Sequence, residues 1–325
     1  MDGDMFQRRQ NTMTDCLRPL LISMRVFGLY FVRPDKTSER KNWKCGMAWM
    51  FNAVFVVGLL WLNAVRFLSV FHADDTFDMV LLNKLIAVLW SFQCAVSQTA
   101  FFATCYLGTL QKVFAKVKLT DRCARYLRRI VTVYTIVAWL VIATGSAFWV
   151  YYLFFGEGSM DMMLAPFVTH VTISNVVVAR VFLYILSFYL LAAHTFPQAM
   201  TFLLATLFGF RFKLIGDDLD RRLEESEDGH ISDADIEEIR QNHQEIAMSV
   251  SNVDDCLMFH NASAFCCQLC CFIILLYMII FYNNIMDNPV IIIANIWWIV
   301  LMTAGLVFTS AGGIKINHYV SSLGI

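Results

Sequence analysis

The stretch from Leu223 to Ile239, LEESEDGHISDADIEEI, sets side-chain oxygens at near-regular steps around a glycine. With Glu224 as position one, Ser226 falls at three, Asp228 at five, Ser232 at nine and Asp235 at twelve, and Gly229 takes the bend. That approaches the spacing with which a helix-loop-helix holds calcium. Both ends depart from it. Glutamate is long for the tight start, aspartate reaches poorly for bidentate closure, and no second loop pairs with this one. The plainer reading is an acidic Asp-Gly turn followed by a helix capped by Ser232 with Asp235. The run Cys266 to Cys271, CCQLCC, has metal-like pairs, but it lies inside an apolar stretch with no charge or histidine to complete a site. Buried thiols, or palmitoylation near a membrane face, fit it better. Asn261-Ala262-Ser263 matches the glycosylation pattern. No glycine-rich phosphate loop, paired His and Glu metal motif or nucleophile elbow is present. Catalysis, metal and cofactor are therefore not expected, and nothing points to nucleic acid.

The residues left for chemistry are those of a small-molecule pocket. Such sites combine apolar walls with a few polar groups. Trp61 and Asn63, Trp90 and Gln93, Trp149 with Tyr151 and Tyr152, His170 and Asn175, and Tyr277 and Asn295 all lie in or beside apolar runs. The candidate ligand set is Trp90, Gln93, Trp149, Tyr152, His170, Asn175, Tyr277 and Asn295. Aromatic residues near a membrane interface are also an ordinary belt, and His194 reads as a core residue.

What must position these groups is a membrane bundle. The chain of 325 residues is 58% hydrophobic and 16% charged, against roughly 45–50% and 25% in soluble domains. Six runs, near 46–71, 79–110, 130–155, 163–210, 260–282 and 289–312, are long enough to cross a bilayer. Of 25 Lys and Arg residues, the first 45 positions hold nine, 111–129 hold seven, 211–255 hold five, and Lys315 stands in the tail. The intervening gaps hold Asp74, Asp75, Asp78, Glu157, Asp161 and Asp287 instead. Basic residues concentrate on the cytosolic side, so the N-terminus, the basic gaps and the tail are expected inside. Asn261 then lies at the cytosolic edge and stays unglycosylated. None of the ten cysteines falls in an expected outer gap, so no outer disulfide framework is expected.

The fourth run is 48 residues, enough for two spans. A split at Pro197 would carry Arg211, Arg221 and Arg222 outside, so one long helix protruding into the cytosol is the expectation. Arg66 and Lys84 sit near outer boundaries and can snorkel. Arg180 lies deeper, where an arginine is costly and faces a neighbouring helix, a pocket or a path. Between 211 and 258 the chain has 14 acidic and five basic residues. Its second half, with Ile236, Ile239, Ile246, Val250 and Val253 at helical steps, reads as an amphipathic helix.

Two stretches carry a family resemblance. LRPLLISMRVFGLYFVR, with its Pro-Leu-Leu and Phe-Gly-Leu, resembles the lead-in to span one of arthropod gustatory receptors, relatives of the insect odorant receptors. IRQNHQEIAMSVSNVDDCLMFHNASAFCCQLCCFIILLYMIIF resembles that family's cytosolic helix, an Asn or Asp turn, and a fifth span ending in Leu-Tyr. The resemblance implies an all-α polytopic bundle whose members are ligand-gated, non-selective cation channels. They assemble as homo- or heterotetramers in the plasma membrane of sensory neurons and detect small-molecule tastants. It implies this layout: a cytosolic N-terminal segment (1–45), spans one to four with an outer-half ligand bundle (46–202), a cytosolic helical assembly region (203–259), spans five and six (260–312) and a cytosolic tail (313–325). The family's marker, Thr-Tyr, five apolar residues, then Gln-Phe in a seventh pore-lining span, does not occur. A product lacking that span is expected to bind ligand without conducting alone. Asp121-Arg122-Cys123 also approaches the acidic-Arg-aromatic step of G-protein-coupled receptors, but it sits mid-loop and the N-terminus is on the opposite side. An odorant receptor or a six-span transporter are the alternatives.

Overall fold

The computed structural model describes residues 12–32, 40–69, 71, 77–117, 119, 121–155, 176–225, 232–281 and 289–322. They form α1 (Met13–Val26), α2 (Arg40–Leu68), α3 (Met79–Tyr106), α4 (Thr109–Lys116), α5 (Asp121–Phe154), α6 (Val176–Glu225), α7 (Asp233–Phe281) and α8 (Pro289–Ser322). The protein is an all-α bundle in which six helices, α2, α3 and α5 to α8, are long and apolar enough to cross a membrane. α3 is central and packs against α2, α4, α6 and α7; α5 lies against α6, and α8 covers α6 and α7.

Helix ends follow local sequence. Asp78 caps α3 by accepting from Leu81 N–H at 2.9 Å. The second apolar run, read through to 110, ends earlier, because Gly108 takes φ 69 and α4 restarts at Thr109. α6 continues unbroken through Pro197 for 50 residues, about 75 Å at 1.5 Å per residue. The hydrocarbon core is about 30 Å, so α6 must protrude. α7, with 49 residues, does the same. The expected Asn or Asp turn before span five is absent. Asn252, Asp254 and Asp255 lie on the exposed face of a continuous helix, while Val253 and Leu257 keep the buried stripe.

The protruding ends of α6 and α7 pair at the basic end of the bundle. Phe212 meets His243 at 5.3 Å, and Arg211 lies 4.0 Å from Glu245. Arg222 joins Asp218 on its own helix to Asp235 and Glu238 on α7. Ser232 accepts from the Asp235 N–H at 3.2 Å, the capped-helix reading. Asp235, the would-be twelfth calcium ligand, is therefore held by a guanidinium; residues 226–231 of that loop lie outside the described residues. Arg222→Gln is expected to speed amide exchange over Asp233–Glu238, and high salt to mimic it in the wild type. Unchanged exchange in both would refute the latch.

The N-terminal segment holds more structure than its polar character suggests. α1 buries Met13, Cys16, Leu17, Leu20, Leu21 and Met24 against the bundle, chiefly on α5. Its end is a Schellman cap. Gly28 takes φ 70, its N–H bonds Arg25 C=O at 3.1 Å, and Leu29 N–H bonds Met24 C=O at 2.9 Å. The backbone then runs buried through Leu29, Tyr30 and Phe31. Side chains of the bundle satisfy it: Asn52 donates to Val26 C=O, Gln98 to Phe27 C=O and Gln111 to Phe31 C=O. The Arg25 guanidinium lies over the Tyr30 and Trp49 rings at 5.7 and 5.9 Å. Burial pushes the Tyr30 phenol up to about 12, so it stays neutral.

Candidate ligand site

Six of the eight residues expected to line a pocket lie among the described residues; His170 and Asn175 fall within 156–175, outside them. Trp90 and Trp149 come together, from α3 and α5. Their rings stack at 6.2 Å and 20°, and Trp298 of α8 closes edge-on to Trp90 at 5.0 Å. Trp297 stands edge-on to Trp298 and reaches Phe148. Such geometries suit the ring quadrupole. They are possible because Gly145 leaves room: a Cβ there would come within 2.9 Å of both Leu191 and Trp297.

Beside this aromatic wall is a cavity of about 20 Å³ between α2, α3, α5 and α6. Asn63, Phe67, Trp90, Trp149, Leu183 and Leu190 are among its lining residues. That volume holds about one water. Two residues of its wall carry buried polar atoms with no partner among the described residues, the indole N–H of Trp90 and Oδ1 of Asn63. Asn63 spends its amide donor on Ser91 Oγ at 3.2 Å. One atom is a donor and the other an acceptor, and a hydroxyl group can serve either kind. A larger guest needs the walls to part.

Gln93, one turn along α3 from Trp90, is fully buried and turned into a polar seam. Its amide meets His194 Nδ1 at 3.2 Å, and His194 Nε2 meets the Gln198 amide at 3.5 Å. Ser97 bonds His260 Nδ1 at 2.9 Å, and Thr201 donates to Asn261. Gln268 is fully buried, and both its amide atoms lack partners among the described residues. It lies against Gly305 of α8, where a Cβ would stand 2.6 Å from Gln268 Oε1 and 3.0 Å from Gln198 Oε1. The seam thus joins α3, α6, α7 and α8. Residue-by-residue reading missed it, leaving His194 as an isolated core residue and giving His260 no role. The available signal was helical spacing: Gln93 and Ser97, His194 with Gln198 and Thr201, His260 with Gln268.

The remaining expected residues do not join the cavity wall. Tyr152 turns edge-on to Tyr151 at 6.0 Å. Tyr277 packs with Phe77 and Phe281 in a small cluster around Leu82 and Met278. Asn295 is half-buried on α8. Arg180 is half-buried one turn from Leu183, and its Nε is buried without a partner among the described residues. Lys84 is buried, with only 8% of it exposed, on the central helix α3. Trp61, from the wider aromatic group, donates to Thr99 Oγ1 at 2.9 Å instead. On α7, Cys266 and Cys270 face outward while Cys267 and Cys271 face the core. No protein-family model matches this chain. No curated protein matches it either.

Proposed function

We propose that the chain is a chemosensory receptor subunit of the gustatory-receptor kind, built to take a small tastant into the cavity walled by Trp90 and Trp149. The observation that carries this reading is a donor and an acceptor without partners among the described residues, the Trp90 indole N–H and Asn63 Oδ1, on two residues that line a mostly apolar four-helix junction. A compact apolar molecule bearing a hydroxyl fits that chemistry. The cavity holds about one water, so a larger guest parts its walls, and bound and empty states differ in packing around it. A ligand shifts a conformational equilibrium only through such differential affinity. The seam from Gln93 to Gln268 is a physical route by which a displacement of α3 reaches α7 and α8.

In this reading the basic end lies in the cytosol of a sensory neuron, and the protruding α6 and α7 join subunits of a homo- or heterotetramer in the plasma membrane. Gating is of a non-selective cation current. The seam itself favours one competing reading, a six-span transporter, since buried amides and imidazoles also suit a solute path.

Tags at both ends, read before and after permeabilisation, and ion flux under a tastant panel test these readings. Both tags are expected to be reachable only after permeabilisation, with a cation current evoked by at least one hydroxyl-bearing tastant, alone or with partner subunits. An N-terminal tag reachable in intact cells would overturn the orientation. Saturable uptake without ligand-evoked current would favour the transporter.

A further inference from the structure

We propose that the basic end of α5 is a binding site for phosphate-bearing anionic lipids of the leaflet around it. Arg122, Arg125 and Arg129 recur at three- and four-residue steps, and all are exposed. At about 100° per residue they share one face of the helix. The same face continues as Val133, Ile136 and Leu140, which are 57%, 55% and 58% exposed. Apolar side chains left uncovered on a membrane-crossing helix lie against acyl chains. Arg129, Arg125 and Arg122 stand on that stripe about one, two and three turns beyond Val133, which carries them from the apolar stripe out through the depth of the lipid headgroups. Arg18 is exposed on α1, which packs against α5.

The charge at this place is unbalanced. On the protruding ends of α6 and α7 the arginines are matched: Arg211 lies near Glu245, Arg222 contacts Asp218 and Glu238, and Arg240 contacts Glu237. Arg18, Arg122 and Arg129 make no carboxylate pair among the described residues. Among the described residues Arg125 donates to the Asp121 carbonyl, at 3.4 Å. The acidic groups on these two helices are Asp15 and Asp121, against Arg18, Arg25, Arg122, Arg125, Arg128 and Arg129. Guanidinium groups grip phosphate through paired N–H donors. Juxtamembrane arginines of this number hold anionic headgroups. Because they continue a lipid-facing stripe, the partner comes from the bilayer side, where a nucleic acid or an acidic peptide has no approach.

The test is native mass spectrometry of the purified full chain with three probes: phosphatidylcholine, phosphatidylserine and phosphatidylinositol bisphosphate. Free inositol trisphosphate serves as a soluble phosphate. Anionic lipid adducts are expected to exceed phosphatidylcholine adducts and to weaken as salt rises, while the soluble phosphate binds far less. The triple change Arg122→Gln, Arg125→Gln, Arg129→Gln is expected to reduce anionic lipid binding on the order of 100-fold, about fivefold per arginine. Arg221→Gln with Arg240→Gln leaves it unchanged. If the triple variant is not monodisperse, the matching lysine variant replaces it and retains part of the binding. Equal adducts of all three lipids on the wild type, full anionic binding by the triple variant, or equally tight soluble phosphate would each overturn the proposal.

Discussion

Trp90→Ala is expected to cost about 3–5 kcal/mol of stability, as large-to-small core changes do, and to abolish ligand response. Trp90 is 5% exposed and touches Trp149 and Trp298, so truncation removes the common member of two ring contacts and enlarges the cavity beside it. Within a bilayer the lost term is packing rather than water release, which places the cost near the lower figure. Thermal unfolding in detergent measures it, and a loss below about 1 kcal/mol would be inconsistent with a packed aromatic wall. Trp90→Phe separates packing from polarity. It keeps an aromatic ring and deletes a buried N–H that has no partner among the described residues. An unsatisfied donor costs about 1–3 kcal/mol, so this variant is expected to match or approach wild-type stability. It still lacks the donor, and its half-maximal tastant concentration is expected to rise about fivefold, the worth of about one net hydrogen bond. Equal potency would show that the indole N–H does not meet the ligand.

Gly28→Val is expected to be the most damaging single change in the N-terminal segment. At φ 70 a β-branched residue meets steric cost of about 1–2 kcal/mol. Its Cβ would also stand 3.0 Å from the Ala53 backbone and 3.3 Å from both Gln98 and Val56. The Ala53 contact is backbone, so α2 itself must shift, and overpacking of this kind adds about 1–3 kcal/mol. The same shift pulls Gln98 from Phe27 C=O and Asn52 from Val26 C=O. Gly28→Ala carries the same φ cost with less bulk and should rank between the two. Thermal unfolding and the monodisperse yield of the three proteins give the order wild type, alanine, valine. Wild-type behaviour of the valine variant would refute the cap.

Much of this was legible before any coordinates. A membrane demands long apolar helices, so the six spans stand out from composition and charge, and Arg221 and Arg222 argue for an unbroken α6. Trp90 and Trp149 were both named from sequence as candidates, one with Gln93 and the other with Tyr152, and the structure brings the two indoles together. Tyr152, Tyr277 and Asn295 have the same composition signal, but only helix rotation decides whether they face the cavity, and rotation is set by packing. α1 escaped because its apolar residues are spread at helical steps among Asp15, Arg18 and Arg25, so no continuous run announces it. The polar seam escaped for a similar reason. Gln93, His194, His260 and Gln268 are single polar residues in four separate places, and only the contact of α3, α6 and α7 makes them neighbours.

The seating of α1 has a consequence for how the protein is made. Cys16 lies against Ala124 from a position 108 residues earlier, and Phe27 C=O waits for Gln98, 71 residues later. At about 5–20 residues per second of synthesis, α1 stays unseated for several seconds or more after it leaves the ribosome. During that interval its Leu17, Leu20 and Met24 face has nothing of its own chain to cover it. α1 is made early and seated late, so a bulky group placed directly before Met13 should hinder maturation more than the same group placed after α8.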